Sequence, residues 1–466
     1  MEERINENIR PLSPEERLPD IDSLIKMTEE RRFSDFRRTL AALPAADIAE
    51  LFEELPIEYY APFYRLLPKE SAAELFVEMH RDMQEHLINS FTDGELSATL
   101  DELYIDDTVD IIEEMPAAVV KRILRNSNGE DRGIINRLLR YPKDSAGTIM
   151  TTEYVRLKAD MTVEESLSHL RRVAIDKETI YTCYVTDSER RLIGIVTARE
   201  LLISSLETQV SSIMQENAIF VNTTDDKEAV AQKFKKYGFL ALPVVDNECR
   251  LVGIVTVDDA IEVIEDEVEE DFAKMAAITP SEESYLKESV FSIWKSRIPW
   301  LLLLMISATL SSAILSRFES ALPAVLLLFV PMLMDTGGNC GAQASVTVIR
   351  AISVGEAKLS DFMKILFKEA RVGALCGIAL GTAAFFKVAL VDGLIMNNSS
   401  VTLSVAIAVA LSILLTVLAS KLIGASLPLL AKRVGLDPAV MASPFITTLV
   451  DALALVLYFL ISSAML

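Results

Sequence analysis

Five apolar stretches, at about 298–316, 322–349, 371–391, 401–424 and 440–464, dominate the last third of this 466-residue chain. Each is long enough to cross a hydrocarbon core about 30 Å thick, which takes ~20 helical residues. In lipid every backbone N–H and C=O must be bonded within the segment, so this part can fold only as a helical bundle. The connections orient it. With a cytosolic N-terminus, the second-to-third connection is internal and holds Arg350, Lys358, Lys364, Lys368 and Arg371. The fourth-to-fifth connection, also internal, holds Lys432 and Arg433, while the outer connections have Arg317 and, near the end of the third span, Lys387. The positive-inside bias predicts a multi-pass protein of the cell (inner) membrane, its N-terminal domains cytosolic and its C-terminus outside. Trp294 and Trp300 stand where a membrane-entry belt is expected.

Charge separates the rest of the chain from this bundle. Of the 45 basic and 68 acidic residues, residues 296–466 hold 11 and 8, leaving 34 and 60 before them. So acidic a surface disfavours nucleic acid and anionic lipid as partners of the first part and favours cations. Four scattered cysteines (Cys183, Cys249, Cys340, Cys376) and three histidines offer no zinc site or disulfide framework. The opening MEERINENIR has no apolar core, so no signal peptide is expected.

Residues 20–140 read as short amphipathic helices punctuated by Pro44, Pro56, Pro68 and Pro116, a loose repeat that predicts a superhelix. An internal duplication follows. TCYVTDSERRLIGIVTARE (182–200) aligns without a gap on ALPVVDNECRLVGIVTVDD (241–259), each copy reading strand, turn, strand, helix start. Ile149-Met150 and Ile213-Met214 open the matching segments. This resembles a tandem pair of CBS domains, in which the Thr of the motif and the acidic residue three later bind an adenine nucleotide's ribose. The positions are Thr256 with Asp259 and Thr197 with Glu200; the alternative is that both threonines cap the next helix. Residues 262–271 carry seven carboxylates and no base, and Ile261, Ile264, Val268, Phe272 and Met275 recur at helical spacing, which predicts an amphipathic acidic helix.

Two features of the bundle are not explained by lipid-facing packing. Asp451, in the middle of the fifth span, costs about 2.5–3.5 kcal/mol to insert even on a lenient scale, so it must face a partner, water or an ion. With no intramembrane Lys or Arg expected at comparable depth, a pore ion is the favoured reading. The second feature is MDTGGNCGAQAS (334–345), where Gly337, Gly338 and Gly341 weaken the helix and let backbones approach, and Asp335, Asn339 and Gln343 supply oxygens; close helix packing around small residues, with the polar groups bonded internally, is the alternative. Pro323, Pro331, Pro428, Pro438 and Pro444 predict further breaks.

YPKDSAGTIMTTEY, the CBS pair, PMLMDTGGNCGAQAS and GLDPAVMASPFITTLVD, in that order, make the chain similar to the MgtE family of magnesium transporters over nearly its whole length. The resemblance implies a multidomain protein with four parts. These are an all-α superhelical N domain (1–140), an α/β tandem CBS pair (141–261), an acidic connecting helix (262–296) and a five-span α-helical pore domain (297–466). It implies a homodimer with magnesium held in the pore by Asp451, helped by Asn339, with Asp335 and Asp437 near the gate or pore entrance. It also implies regulatory magnesium at Asp106, Asp110, Asp259, Glu262, Glu267, Glu270 and Asp271, and ATP bound without hydrolysis at the CBS pair. Ser443 occupies a pore-adjacent position where the family can carry Asn.

The physical reading agrees. Mg²⁺ demands octahedral oxygen and sheds water reluctantly, so one carboxylate per subunit and a few amides suit a hydrated ion. No GxxxxGK[ST] loop is present, which disfavours an ATP-driven pump, and no enzymatic activity is expected. Carboxylates about 5 Å apart repel by roughly 3 kcal/mol at an effective dielectric near 20. Magnesium bridging them would therefore compact the cytosolic domains and close the pore. A broader divalent carrier passing Co²⁺ or Mn²⁺, and a membrane-anchored nucleotide sensor, are the competing readings.

Overall fold

The computed structural model describes residues 18–281, 285, 288–319, 323–441 and 443–465, with the side chains of Asp176, Phe318, Glu319 and Ser443 outside the described set. Residues 1–264 and 265–466 form two compact units.

In the first unit, short helices run from Ile21–Glu29 to Gly129–Leu138. Proline sets their beginnings: Pro44, Pro68 and Pro116 sit immediately before Ala45–Glu54, Lys69–Glu78 and Ala117–Asn126, and Pro56 precedes the 3₁₀ turn Ile57–Tyr59. Lacking an N–H, proline is harmless where a helix has no acceptor to offer. Phe36, Phe52, Phe63, Phe76 and Met83 build a core that continues through Met150, Val221, Val244, Val255 and Val263, so the helical domain and the second CBS repeat share one apolar interior.

Each repeat forms a three-stranded sheet, β1(Tyr154–Lys158), β2(Thr179–Thr186) and β3(Leu192–Thr197), then β4(Val221–Asn222), β5(Ala241–Val245) and β6(Leu251–Thr256). The first two strands of each sheet are parallel and the last two antiparallel. The matching Ile-Met segments cross over. Thr151 N–H bonds Ile254 O at 2.8 Å while Gln215 N–H bonds Ile195 O at 2.8 Å, so each segment seals the other repeat. This explains the glycine of both GIVT motifs: a Cβ on Gly194 would lie 3.0 Å from Met214 Sδ, and one on Gly253 2.7 Å from Met150 Sδ.

The acidic stretch is one continuous helix, Val257–Met275. Its buried residues are Ala260 and Val263, however, and the predicted apolar stripe is largely open, with Ile261, Val268 and Phe272 about half exposed or more.

The second unit contains five helices long and apolar enough to span a membrane: Val290–Arg317, Ala324–Ser353, Leu359–Ile395, Leu403–Arg433 and Pro438–Met465. Three sequence expectations change here. The third helix begins well before residue 371, because its first turns are an amphipathic extension, and it ends in a π-helical stretch, Lys387–Ile395. Pro428 does not break the fourth helix, which runs unbroken over Leu403–Arg433; the other four prolines stand at or next to helix starts. The glycine motif does not weaken the second helix, continuous over Val330–Ser353, but lets it pack closely. A methyl on Gly424 would overlap the Gly341 carbonyl, and one on Gly341 would lie 2.9 Å from Ile446 Cγ2. Leu333, Val409, Ile413, Val417, Leu455 and Phe459 form the shared core, and Tyr458 Oη donates to Leu326 O at 2.8 Å. No residue in the most apolar stretch of the first helix is fully buried within the chain, although Ile314 and Leu315 pack against the shared core; a helix facing lipid or a partner is expected to look so.

Candidate ion path and acidic clusters

In the membrane unit, the second and fifth helices bring three of the predicted residues together. Asp335 and Asn339, one turn apart, lie on an exposed face of the second helix. Asp451 is half-buried on the fifth helix, its Oδ1 3.8 Å from where a Gly338 Cβ would stand, so glycine admits the carboxylate to this face. Asp335 is the charged group acting on Asp451. Two acids and an amide on one face of an apolar helix pair form a polar track of oxygen donors, the ligand type a hard cation takes.

Gln343, one turn beyond Asn339 and exposed on the same face, is bonded internally, as the packing alternative expects. Its Oε1 accepts from Lys421 Nζ at 3.2 Å. Lys421 is a basic residue within the spans, beside the expectation that none lies at a depth comparable to Asp451. It stands in the fourth helix, 5% exposed, and its signal was a lone Lys inside an apolar run.

Asp437 follows the fourth helix. Its Oδ1 accepts from Ala439 N–H at 2.8 Å and its Oδ2 from Lys274 Nζ at 2.6 Å. Lys274 also pairs with Glu270, and the neighbouring Asp271 Oδ2 accepts from Ser353 Oγ at 3.0 Å. Burial lowers the Lys274 pKa, but its bonds to Asp437 and Glu270 outweigh that and push it up to about 12. Met275 packs with Ile349 and Ala439. The end of the acidic helix is thereby fastened to the loops that close the second and fourth membrane helices.

The seven predicted regulatory acids divide. Asp106, Asp110, Asp259 and Glu262 meet in the first unit, where Asp110 feels both Asp259 and Glu262. Glu270 and Asp271 belong to the group around Lys274, and Glu267 lies between the two on the same helix. Sequence reasoning missed Asp107, Asp258 and Glu178, which join the first group. The doubled acids in DDTVD and VDD were a visible signal for the aspartates; Glu178, in a loop far along the chain, had none.

This group is under electrostatic strain. Asp106 is 7% exposed, its Oδ1 has no hydrogen-bond partner, and burial together with Asp107 and Asp259 holds its pKa well above the usual carboxylate range. Burial and Asp259 raise Asp110 in the same way. Burial, Asp259 and Asp258 push Asp107 up to about 7, and burial, Asp107 and Asp259 push Glu178 up to about 8. Asp259 is raised chiefly by burial, and its bonds from Thr256 partly offset this. Such a group requires protons or cations to stay together. Among the described residues no group of three or more His, Cys, Asp or Glu is arranged to hold a bare metal ion.

At the nucleotide positions, Thr197 forms a capping box with Glu200, accepting from Glu200 N–H at 3.2 Å while Glu200 Oε2 accepts from Thr197 N–H at 2.7 Å. Thr256 Oγ1 donates to Asp259 Oδ2 at 2.5 Å. The capping alternative is therefore realised at Thr197.

Family models match in three places: a divalent cation transporter domain, MgtE, over residues 330–461, an MgtE intracellular N domain over 43–144, and CBS domains over 146–207 and 210–266. The magnesium transporter MgtE of Thermus thermophilus is 36% identical over 94% of this chain and 96% of its own length. The chain belongs to the MgtE family. The Bacillus subtilis magnesium transporter MgtE is 30% identical over 95% of the chain and 96% of its own. The crystal structure of the soluble part of a magnesium transporter aligns over 55% of this chain and 99% of that one, at 32% identity and TM-score 0.51. The cytosolic domain of the Mg²⁺ channel MgtE in complex with ATP aligns over 52% of this chain and 100% of that one, at 38% identity and TM-score 0.50. This MgtE relative has the family's helical N domain, CBS pair and bundle of five apolar helices, and is a multi-pass membrane protein.

Proposed function

We propose that the chain is a homodimeric magnesium channel of the inner membrane, closed by cytosolic Mg²⁺, with its C-terminus outside and domains at 1–140, 141–261, 262–296 and 297–466. The observation that carries this is the track of Asp335, Asn339 and Asp451 on a helix pair of mainly apolar residues. The face is open in the single chain, so a second copy across a two-fold axis would close a path with Asp451 contributed twice. The open stripe of Ile261, Val268 and Phe272 suits the same partner. The track has too few oxygens to strip Mg²⁺ and enough to hold it hydrated.

Regulation follows from the two acidic groups. Magnesium at Asp106, Asp110, Asp259 and Glu262 neutralises acids that otherwise repel, and Glu267, Glu270 and Asp271 extend the response along the helix to Asp437 at the gate. ATP is held at the CBS pair without hydrolysis, with Thr197 and Thr256/Asp259 as contacts. The second copy admits a polyphosphate only when magnesium offsets the acids around Asp259.

The test is Mg²⁺ uptake into proteoliposomes of the purified full chain. Asp451→Ala should abolish it while the protein still folds and inserts; retained uptake would remove Asp451 from the path. The family model's broader description, divalent cation transporter, favours adding Co²⁺ and Mn²⁺ to the same assay, and equal rates would make the chain a general divalent carrier.

A further inference from the structure

Beside the proposed path lies a cavity of about 760 Å³, lined by Asn339, Gln343 and Thr347 of the second membrane helix, Glu369 of the third and Lys421 of the fourth. Among the described residues Lys421 is the one buried basic side chain. Its hydrogen bond to Gln343 Oε1 fixes the ammonium in the cavity wall, with Glu369 as the acid across the same space. Gln343 follows Asn339 by one turn, so the cavity adjoins the face that carries Asp335 and Asn339. Along the helix the step from Gly338, beside Asp451, to Gln343 is about 7.5 Å. It runs toward the ends carrying Arg350, Lys432 and Arg433.

A fixed positive charge is an unexpected neighbour for a cation path unless it serves passage. Conduction needs a site that attracts the ion enough to load it and lets it go fast enough to turn over. Two copies of Asp451 supply attraction without a counterweight, and a divalent ion feels it twice over. We propose that Lys421 is a release charge. Its ammonium, held by Gln343 and moderated by Glu369, weakens the hold of the Asp451 track on a divalent cation and so speeds its release. The proposal rests on the path assigned above, and Lys421 acts through the field without touching the ion.

The experiment is initial Mg²⁺ uptake against concentration in proteoliposomes of the full chain, for Lys421→Met, Lys421→Arg and Glu369→Gln. Lys421→Met keeps the volume and loses the charge. It should lower the half-saturating Mg²⁺ at least threefold and the maximal rate with it, and Lys421→Arg should restore both. Glu369→Gln, which unmasks the ammonium, should raise the half-saturating concentration, and this arm stands even if Lys421→Met fails to fold. An unchanged or raised half-saturation in folded Lys421→Met, or a lowered one in Glu369→Gln, overturns the proposal. Uptake that survives Asp451→Ala overturns the path itself, so the two failures are distinguishable.

Discussion

Single residues show how closely function and packing share this bundle. Gly338 gives room to Asp451, while Gly341 and Gly424 let the second and fourth helices touch through their backbones. Gly424→Ala must push those helices apart and should cost about 1–3 kcal/mol, the usual penalty for overpacking. A lowered melting temperature in detergent would register it; an unchanged one would mean the contact yields freely. Asp451 was legible because a carboxylate in an apolar span has almost no structural use. The role of Gln343 was not, since an amide reads alike whether its oxygen faces an ion or accepts from a lysine on another helix.

At the level of elements, the acidic helix joins two chemistries. Its first turns meet the acids of Ile105–Glu114, and its last turn is fastened by Lys274 to Asp437. Neutralising Glu262, Glu267, Glu270 and Asp271 together should leave uptake intact and abolish its inhibition by Mg²⁺ on the cytosolic face, read in patches from giant proteoliposomes; full inhibition in that variant would defeat the feedback model. Lys274→Met tests the fastening separately. It removes a cation from between Glu270 and Asp437, so inhibition should shift in midpoint by severalfold, whereas an unshifted curve would leave the ion pair without a part in gating. The helix itself was readable from its period, but its exposed side was not. The stripe of Ile261, Val268 and Phe272 predicts a buried face, and the fold buries Ala260 and Val263 instead, with Ile264 packed beside them against the core of the first unit.

The whole first unit holds together around acids whose protons it retains. Burial and mutual repulsion raise Asp106, Asp107, Asp110 and Glu178, so the assembled state binds more protons than the separated one. Their contribution is full below the ordinary carboxylate range near 4 and is lost as pH rises through about 7 to 8, where Asp107 and Glu178 titrate. In magnesium-free buffer, hydrogen-exchange protection factors around residues 105–114, corrected for the intrinsic base-catalysed rate, should therefore be high at pH about 6 and low at about 9, with millimolar Mg²⁺ restoring them; protection factors unchanged by pH would show that the acids do not govern assembly. The sequence by itself determined the membrane bundle, the duplicated α/β repeat and the helical domain, and it singled out Asp451 as a candidate, because apolar length, repetition and a misplaced charge are local properties. Only the tertiary structure decided that each Ile-Met segment seals the opposite repeat, that Glu178 joins Asp106 and Asp259, and that Lys421 bonds Gln343. Those relations depend on distances between residues far apart in the chain, which no local pattern encodes.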